Sequence, residues 1–425
     1  MKRITTVVLL LALLLSSVML VNAQDDSEDT ECAESTGVAL TLAGWSSSES
    51  EDVALITQLE TFTCETGIDV TFAPSTDHRV TMQSAFATED YPNVFYIDSS
   101  YLPDWVEAGV VATGEDDIEN IEGFYESLID IFTYEGVLYC PPKDFSTMAL
   151  QYNKDLFDAA GLEYPTAEWT WEDLRAAAEA LTNEEEGVIG LVTPPNLERW
   201  LPFLYQNGGA LFDDFGVFVL DSDEALEALD YYISFAQDGI GGPPDAVDAG
   251  WGGEAFGTGR AAMAMEGNWT INFLLENYPE LNWGVAEMPA GPADEATMAF
   301  TVCYGVGETN EYPEESWQLV NFLTGVDGQD RFAEVTFGPM PSRPAAADTY
   351  LETWAERTEG TEINHEEFDA FLIGADYAYP WVLPVGWNTF TDAFNGALQE
   401  AFDGQLTAED MLTTVVEVAE ELQAE

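Results

Sequence analysis

The chain has 425 residues, of which 80 are acidic and 11 basic, so its formal charge is −69 at pH 7. A surface this acidic excludes nucleic acid and anionic membranes as partners, because their binding depends on basic patches. Hydrophobic residues make up 46% of the chain and aromatic residues 12%, which excludes a disordered protein. The length exceeds what one hydrophobic core holds, so we expect two domains.

Residues 1–23 have the pattern of a secretory signal peptide. Lys2 and Arg3 precede an uncharged, hydrophobic run at 5–20, and small residues lead up to Ala23. We expect cleavage after Ala23, which leaves a soluble, exported protein, secreted or periplasmic, and the loss of two positive charges moves the formal charge to −71. No cysteine directly follows the hydrophobic run, so the sequence shows no bacterial lipid-attachment site. Residues 24–36 are polar and acidic and predict a flexible tail.

The acidity of the remaining chain has two interpretations. One is a solvated surface suited to high salt, where screening suppresses self-repulsion. The other is a protein that binds cations. The sequence favours the first and leaves the second open.

From residue 38 the sequence alternates between strand and helix patterns. Strands are predicted at 38–45, 68–73 and 93–97, and helices at 50–63 and 79–87. This alternation indicates a parallel α/β sheet, whose ligands lie beyond the carboxyl ends of the strands.

The rest of the chain keeps this α/β character. A hairpin is predicted with arms at 131–133 and 137–139, and Pro141 and Pro142 end its second arm. A strand follows at 147–152 and helices at 155–160 and 171–181. Further α/β segments are predicted at 190–193, 200–206, 225–237 and 261–265. Two more strands are predicted at 283–288 and 299–306, and helices at 314–323, 329–335, 389–402 and 408–422.

Four cysteines lie beyond the signal peptide: Cys32, Cys64, Cys140 and Cys303. An even number in an exported chain indicates disulfides, with three possible pairings. We favour Cys32 with Cys64, which would clip the acidic tail to the end of the first helix, and Cys140 with Cys303, which both lie in β-rich segments. None is spaced as in a zinc knuckle and the chain has only two histidines, so neither a metal site nor a cofactor is predicted.

Two motifs resemble the extracellular solute-binding proteins of ABC importers, in the large sugar-binding family that includes the maltose-binding proteins. Residues 152–162 read YNKDLFDAAGL and residues 169–174 read WTWEDL, which match a specific motif of that family. Residues 256–263 read FGTGRAAM, and Gly-Asn-Trp follows at 267–269. Weaker matches are TGI at 66–68, YPNV at 91–94 and NGG at 207–209, and together they span most of the mature chain. Asn93 departs from the aspartate usual in the family.

The resemblance implies the two-lobed periplasmic-binding-protein fold, an α/β fold with discontinuous lobes and a multi-segment hinge. Lobe 1 would comprise 37–142 with 300–342, and lobe 2 would comprise 143–299 with 343–425. Crossings near 141–145, 298–304 and 340–344 would bring Cys140 and Cys303 together at the hinge. Such proteins close around a ligand and present it to a permease without covalent chemistry. The implied protein is a monomer that binds a sugar and docks on ABC permease subunits.

The implied cleft would collect aromatic platforms for the C–H face of a sugar and planar polar groups for its hydroxyls. The candidate ligand-binding residues are Trp45, Ser46, Asp77, Asp98, Ser99, Asp144, Phe145, Trp251, Glu254, Asn268, Trp269, Arg343, Trp381 and Trp387. Several have structural alternatives: Asp77 and Asp98 as helix caps, Arg343 as half of an interlobe ion pair, and each tryptophan as a core residue. For Trp200, Trp283 and Trp317 the core interpretation is favoured.

These observations favour a binding protein, not an enzyme, whose ligand is a neutral di- or oligosaccharide. A secreted carbohydrate-active hydrolase is the alternative from another class. Its catalysis needs one pair of carboxylates, and in a chain with 80 acidic residues the presence of such a pair is no evidence for it. A phosphorylated ligand is disfavoured by the scarcity of Lys and Arg. A cationic solute, held by an aromatic cage and acids, is the second choice within the binding class.

Overall fold

The computed structural model describes residues 32–213, 215–335, 338–358 and 365–424. The predicted signal peptide and the first part of the predicted tail lie outside these ranges. Among the described residues, no helix is both long enough and apolar enough to cross a membrane.

The N-terminal half begins with the predicted alternation of strands and helices. Strands β1 (Ala39–Gly44), β2 (Asp69–Pro74) and β3 (Val94–Asp98) are parallel, as the pattern predicted, and they lie in the order β2-β1-β3. Helix α1 (Glu49–Thr66) connects the first two strands and α2 (His78–Thr88) connects the next two. The short helices α3 (Leu102–Glu107) and α4 (Glu126–Ile131) and the hairpin of β4 (Thr133–Tyr134) and β5 (Val137–Leu138) follow.

Two long antiparallel strands connect the halves of the molecule. They are β6 (Pro142–Asn153) and β11 (Thr297–Val306). One end of β11 pairs with β3, and the far end of β6 pairs with β9 (Ala261–Gly267). Between these ends β6 and β11 pair with each other, and β12 (Met340–Pro341) also pairs with β6 there. All three predicted crossing segments therefore meet in one place.

Strand β6 begins earlier than the sequence predicted. Pro141 and Pro142 were expected to end the hairpin and the strand to start at 147, but Pro142 is the first residue of β6. Proline is tolerated at that position because a strand's first residue need not donate to the sheet. The hairpin arm predicted at 131–133 is likewise shorter, since Ile131 ends α4.

The second half extends the same sheet. Its strands are β7 (Ile189–Val192), β8 (Gly241–Gly242), β9, β10 (Trp283–Ala286) and β13 (Ala378–Pro380), and the path through both halves is β2-β1-β3-β11-β6-β9-β7-β8. The helices of the chain after β6 are α5 (Lys154–Ala160), α6 (Trp171–Leu181), α7 (Leu197–Gln206), α8 (Asp223–Gln237), α9 (Gly252–Gly257), α10 (Thr270–Asn277), α11 (Pro313–Thr324), α12 (Val326–Val335), α13 (Ala347–Thr358), α14 (Asp369–Gly374), α15 (Asn388–Phe402) and α16 (Ala408–Ala424).

Separate hydrophobic cores support the two halves. One lies around β1, β3 and the end of β11 and contains Phe62 and Trp317. A second surrounds α7, α8 and α15 and contains Trp200, and a third contains Trp283 beside α14. The predicted core role of these three tryptophans is therefore confirmed. The bounds proposed for the two lobes stay a prediction.

Both favoured disulfides are present. Cys32 bonds to Cys64 in the last turn of α1. Cys140, just before β6, bonds to Cys303 within β11, so this link lies beside the crossing strands.

Candidate functional site

A cavity of ≈ 720 Å³ lies between the two halves, beside the crossing strands. This volume is within the range typical of small-molecule sites. One wall comes from the ends of β1 and β3 and from α2, the floor from β6 and β11, and the opposite wall from α7, α9, α10 and α15. The residues that line it are Trp45, Ser46, Ser47, Glu51, Arg79, Asp98, Ser100, Tyr101, Lys143, Asp144, Ser146, Asn196, Glu198, Arg199, Trp251, Trp269, Phe273, Phe300, Val302, Pro339, Trp381, Thr391, Asp392 and Asn395.

Aromatic rings line the cavity from both halves. Trp45, directly after β1, is held edge-on against Tyr96, with 5.2 Å between ring centroids. On the opposite wall Trp251 packs against Phe273 at 4.8 Å, and Trp269 packs edge-on against Phe300. These contacts fix the rings, so they present flat apolar faces at little entropic cost on binding.

Two glycines make room for the indoles of the second wall. A Cβ at Gly253 would lie 2.2 Å from the ring of Trp251, and a Cβ at Gly267 would lie 2.2 Å from the ring of Trp269. Real Cβ atoms do not approach other atoms so closely. Both positions therefore require glycine for these tryptophans to lie where they do.

A buried group of three charges lies at the floor. Lys143 Nζ is 3.1 Å from Glu51 Oε1 and also contacts the carboxylate of Asp144. Burial raises the pKa of Asp144, and Lys143 opposes that rise. Burial also disfavours the charge of Lys143, but Asp144 and Glu51 outweigh it and hold the pKa of Lys143 well above its usual value. The group therefore carries one net negative charge when both acids are ionised.

A second ion pair lies on the opposite wall. Arg199 Nη2 is 2.9 Å from Oε2 of Glu266, which is almost fully buried in β9. The guanidinium carbon lies 5.3 Å from the ring centroid of Trp269 and 5.4 Å from that of Phe300. Burial raises the pKa of Glu266, and Arg199 opposes the rise. The arginine thus both neutralises a buried acid and supports the aromatic wall.

Asp98 and Glu198 face this cavity without an ion-pair partner among the described residues. Asp98 Oδ1 accepts hydrogen bonds from the backbone N–H of Ser100 at 2.9 Å and from its hydroxyl at 2.5 Å. Burial raises the pKa of Asp98 to about 6, the bonds from Ser100 oppose the rise, and Glu198 adds to it. Asp98 is therefore a hydrogen-bond acceptor, and its negative charge is energetically unfavourable when water is excluded from the site.

Seven of the predicted ligand-binding residues line the cavity: Trp45, Ser46, Asp98, Asp144, Trp251, Trp269 and Trp381. Four of them are tryptophans, drawn from both halves of the molecule. The hypothesis that they contact a ligand remains a proposal, and their common location supports it.

Three predicted residues near β1, β3 and β6 lie outside the cavity lining. Asp77 is exposed and caps α2 by accepting from the N–H of Val80, the structural alternative noted above. Ser99 is fully buried and donates to the carbonyl of Trp381 at 2.5 Å. Phe145 packs edge-on against Tyr125, with 5.7 Å between ring centroids, and does not line the cavity.

Three more lie outside the lining in the second half. Glu254 closes a turn by accepting from the N–H of Gly250 at 2.7 Å. Asn268 is fully buried and donates to the carbonyl of Gly338 at 2.7 Å. Trp387 packs against Phe212, Phe218 and Phe390 in the core.

Arg343 also lies outside the cavity lining, and its contacts are structural. It is 2% exposed and donates to the carbonyls of Asn120 at 3.0 Å and Glu119 at 3.2 Å, and its Nε also bonds the carbonyl of Thr324. Its guanidinium carbon lies 3.5 Å from the ring centroid of Phe124. The side chain therefore fastens the third crossing segment to the first half of the molecule.

Three cations line the cavity that were not among the predicted ligand-binding residues: Arg79, Lys143 and Arg199. A signal was available, because only nine basic residues remain after the signal peptide. Cations so scarce in an acidic chain are expected where buried acids need a partner, and three of the nine lie in this one site.

Two α/β halves that enclose a cavity beside paired crossing strands define the two-lobed class of binding proteins, which confirms the predicted fold class. The chain belongs to the bacterial extracellular solute-binding protein family, whose sequence profile matches residues 57–359. A binding protein of Brucella abortus is 28% identical over 322 residues, which cover 73% of this chain and 74% of that protein. An arabinooligosaccharide-binding protein of Halalkalibacterium halodurans is 25% identical over 167 residues, 38% of this chain and 37% of that one.

The fold is also similar to that of an ABC substrate-binding protein from Listeria monocytogenes in complex with cycloalternan. The TM-score is 0.80 at 24% identity, over 91% of this chain and 99% of that one. At this identity the likeness concerns the fold.

Proposed function

We propose that this protein captures a neutral di- or oligosaccharide between its lobes and delivers it to the permease of an ABC importer. The observation that carries the proposal is the cavity between the halves, where tryptophans from both walls surround hydrogen-bonding carboxylates and amides. A pyranose or furanose ring offers apolar C–H faces for such rings, and its hydroxyls bond to planar polar groups.

The charges of the cavity suit a neutral ligand. Each of its three cations contacts an acid: Lys143 is paired with Glu51 and Asp144, Arg199 with Glu266, and Arg79 lies 3.8 Å from Asp392. A phosphate or carboxylate ligand would need cations not already neutralised in this way.

A sugar ligand is supported by the ligands of two similar proteins: one is an arabinooligosaccharide-binding protein, and the other has a structure in complex with cycloalternan. Membership in the solute-binding family supports transport and disfavours the hydrolase alternative. In this proposal the protein is an exported monomer, soluble once residues 1–23 are removed. It releases the sugar unchanged, with no cofactor, metal or catalytic residue.

Contacts across the cleft support closure around the ligand. The carboxylate of Glu276, on α10, accepts from the N–H groups of Glu49 at 3.2 Å and of Ser50 at 3.1 Å, at the start of α1 in the other half. Such contacts form only when the halves approach, and a bound ligand that touches both walls would stabilise that state.

A cationic solute is the second candidate, and Asp98 and Glu198 are the observation that favours it. Both line the cavity without an ion pair among the described residues, beside several aromatic rings. An ammonium group bound there would be attracted by the acids and by the ring faces.

Isothermal titration calorimetry with neutral saccharides, betaines and polyamines tests both candidates. Trp251→Ala should weaken saccharide binding about tenfold, since uncovering roughly 60 Å² of apolar contact costs about 1.5 kcal/mol. Trp387→Leu is the matched control, because this predicted tryptophan packs in the core; it should lower the melting temperature and leave the affinity unchanged. Binding of polyamines alone would replace the proposal by the second candidate, and release of shorter saccharides would replace it by a hydrolase.

A further inference from the structure

A second cavity, of ≈ 290 Å³, adjoins the main one on the side of α7 and α9. We call it the side cavity. Asn196, Arg199 and Trp251 line both cavities, so the two are neighbours that share one wall. The side cavity is far larger than the ~30 Å³ that a water molecule occupies in the liquid, and it is close to the lower limit of about 300 Å³ for small-molecule sites.

The walls of the side cavity combine flat apolar surfaces with planar polar groups. Pro194 and Pro195 lie on one side and Pro243 and Pro244 on another, with the indole of Trp251 beside them. Proline rings are rigid, so these walls are formed before any ligand arrives. This is the combination that suits a sugar ring in the main cavity.

The Arg199–Glu266 ion pair lies where the two cavities meet. Both side chains line the side cavity, and their side chains are 16% and 3% exposed. A charged and largely buried polar pair therefore stands at the junction.

The side cavity leads outwards. Asp245 and Gly250, on its rim, are exposed, and Gln399 of α15 lies half-buried at its edge. The side cavity therefore offers space, on the solvent side of Arg199 and Trp251, for the part of a ligand that is longer than the main cavity.

We propose that the side cavity binds a further unit of the same saccharide, so that the ligand is a neutral oligosaccharide longer than a disaccharide. This inference rests on the proposed function. It adds the length of the saccharide and the place where one of its ends lies. An acidic sugar at that end is disfavoured, because Arg199 is neutralised by Glu266 and Asp245 adds a negative charge.

The test compares chain lengths within one linkage series. Calorimetry near pH 7 would use α-1,4-glucans, β-1,4-glucans, β-1,4-mannans and α-1,5-arabinans, each from the disaccharide to the pentasaccharide. In the series that binds, the pentasaccharide should bind at least about tenfold more tightly than the disaccharide, because one added hydrogen bond to a charged group has about that effect.

Gln399→Trp fills the side cavity from α15 without touching the main cavity. It should weaken pentasaccharide binding about tenfold and change disaccharide binding by less than about twofold. Glu400→Trp, at an exposed position next to it on the same helix, is the matched control and should change neither. Asp245→Trp fills the side cavity from another segment of the chain. It replaces Gln399→Trp in the comparison if that variant does not fold.

The outcomes separate this inference from the proposed function. If disaccharide and pentasaccharide bind equally, or if the filling variants weaken both equally, the side cavity does not hold a sugar unit and the proposed function stands. If no saccharide of any series binds, the proposed function is wrong and this inference falls with it.

Discussion

Replacing Asp98 by asparagine tests the electrostatics of the cleft. Burial raises the pKa of Asp98 to about 6, and Glu198 from the opposite wall adds to the rise. The ordinary pKa of an aspartate is about 3.9, so the folded state disfavours the charge by about two pKa units, or roughly 3 kcal/mol. Because Asp98 is only half-buried and the cleft admits water, we expect about 1–3 kcal/mol.

The direction of the pH dependence follows from this raised pKa. The folded protein binds a proton at Asp98 more tightly than the unfolded chain does, so the stability from this group is fully present below about pH 4 and is lost as the pH rises through about 6. Asparagine does not titrate, and its side-chain oxygen still accepts the bonds from Ser100. Asp98→Asn should therefore be more stable than the natural protein above about pH 6, and the difference should vanish near pH 4.

Urea unfolding of the ligand-free protein at several pH values, at constant ionic strength, measures this difference. Asp69→Asn, at an exposed position of the edge strand β2, is the control and should change the free energy of unfolding little at any pH. A constant difference between Asp98→Asn and the natural protein across the whole pH range would refute the reasoning, since it would mean that the charge of Asp98 carries no penalty.

Three further predictions follow from individual contacts. Arg343→Met should lower the free energy of unfolding by about 2–4 kcal/mol in chemical denaturation, because it removes the donor from the carbonyls of Thr324, Asn120 and Glu119, and should leave saccharide affinity unchanged; a selective loss of affinity would contradict the structural role. Gly253→Ala should displace the indole of Trp251 and weaken saccharide binding in calorimetry, whereas an unchanged affinity would mean that this ring does not touch the ligand. Glu276→Ala should open the ligand-free protein, seen as a larger radius of gyration by small-angle scattering, because it removes the carboxylate from the start of α1; an unchanged radius would show that this contact does not favour closure.

The strand and helix pattern could be predicted from the sequence because hydrophobic periodicity is local. The alternation of β1, α1, β2, α2 and β3 appears as expected, and α6 was predicted at its observed bounds. The short helices α3, α9 and α10 were missed, since six to eight residues give too few turns for a clear period.

Sequence reasoning identified residues of the cavity lining where a side chain directly follows a strand end, as Trp45 and Asp98 do. It did not separate lining residues from their neighbours where a shift of one position decides which side chain lines the cavity. Ser99 donates to the carbonyl of Trp381 while Ser100 lines the cavity, and Phe145 packs against Tyr125 while Asp144 lines the cavity. A sequence without a known register cannot separate such neighbours.

Arg343 shows a second limit of sequence reasoning. Its position between two prolines indicated few structural roles, but its partners are backbone carbonyls at Glu119 and Asn120, more than 220 positions earlier in the chain. Every residue has a backbone carbonyl, so the sequence does not indicate which of them accepts a hydrogen bond from a distant side chain. Such a contact can be identified only from the three-dimensional structure.

Saturation-transfer NMR of a bound oligosaccharide, followed over many hours, tests most directly whether the protein holds a sugar in the cleft and leaves it unchanged. We predict transfer of magnetisation to the C–H face of the sugar, a marked loss of that transfer in Trp269→Ala, and a constant spectrum of the saccharide. New reducing-end signals that grow with time, or no transfer from the protein to any saccharide, would contradict the account.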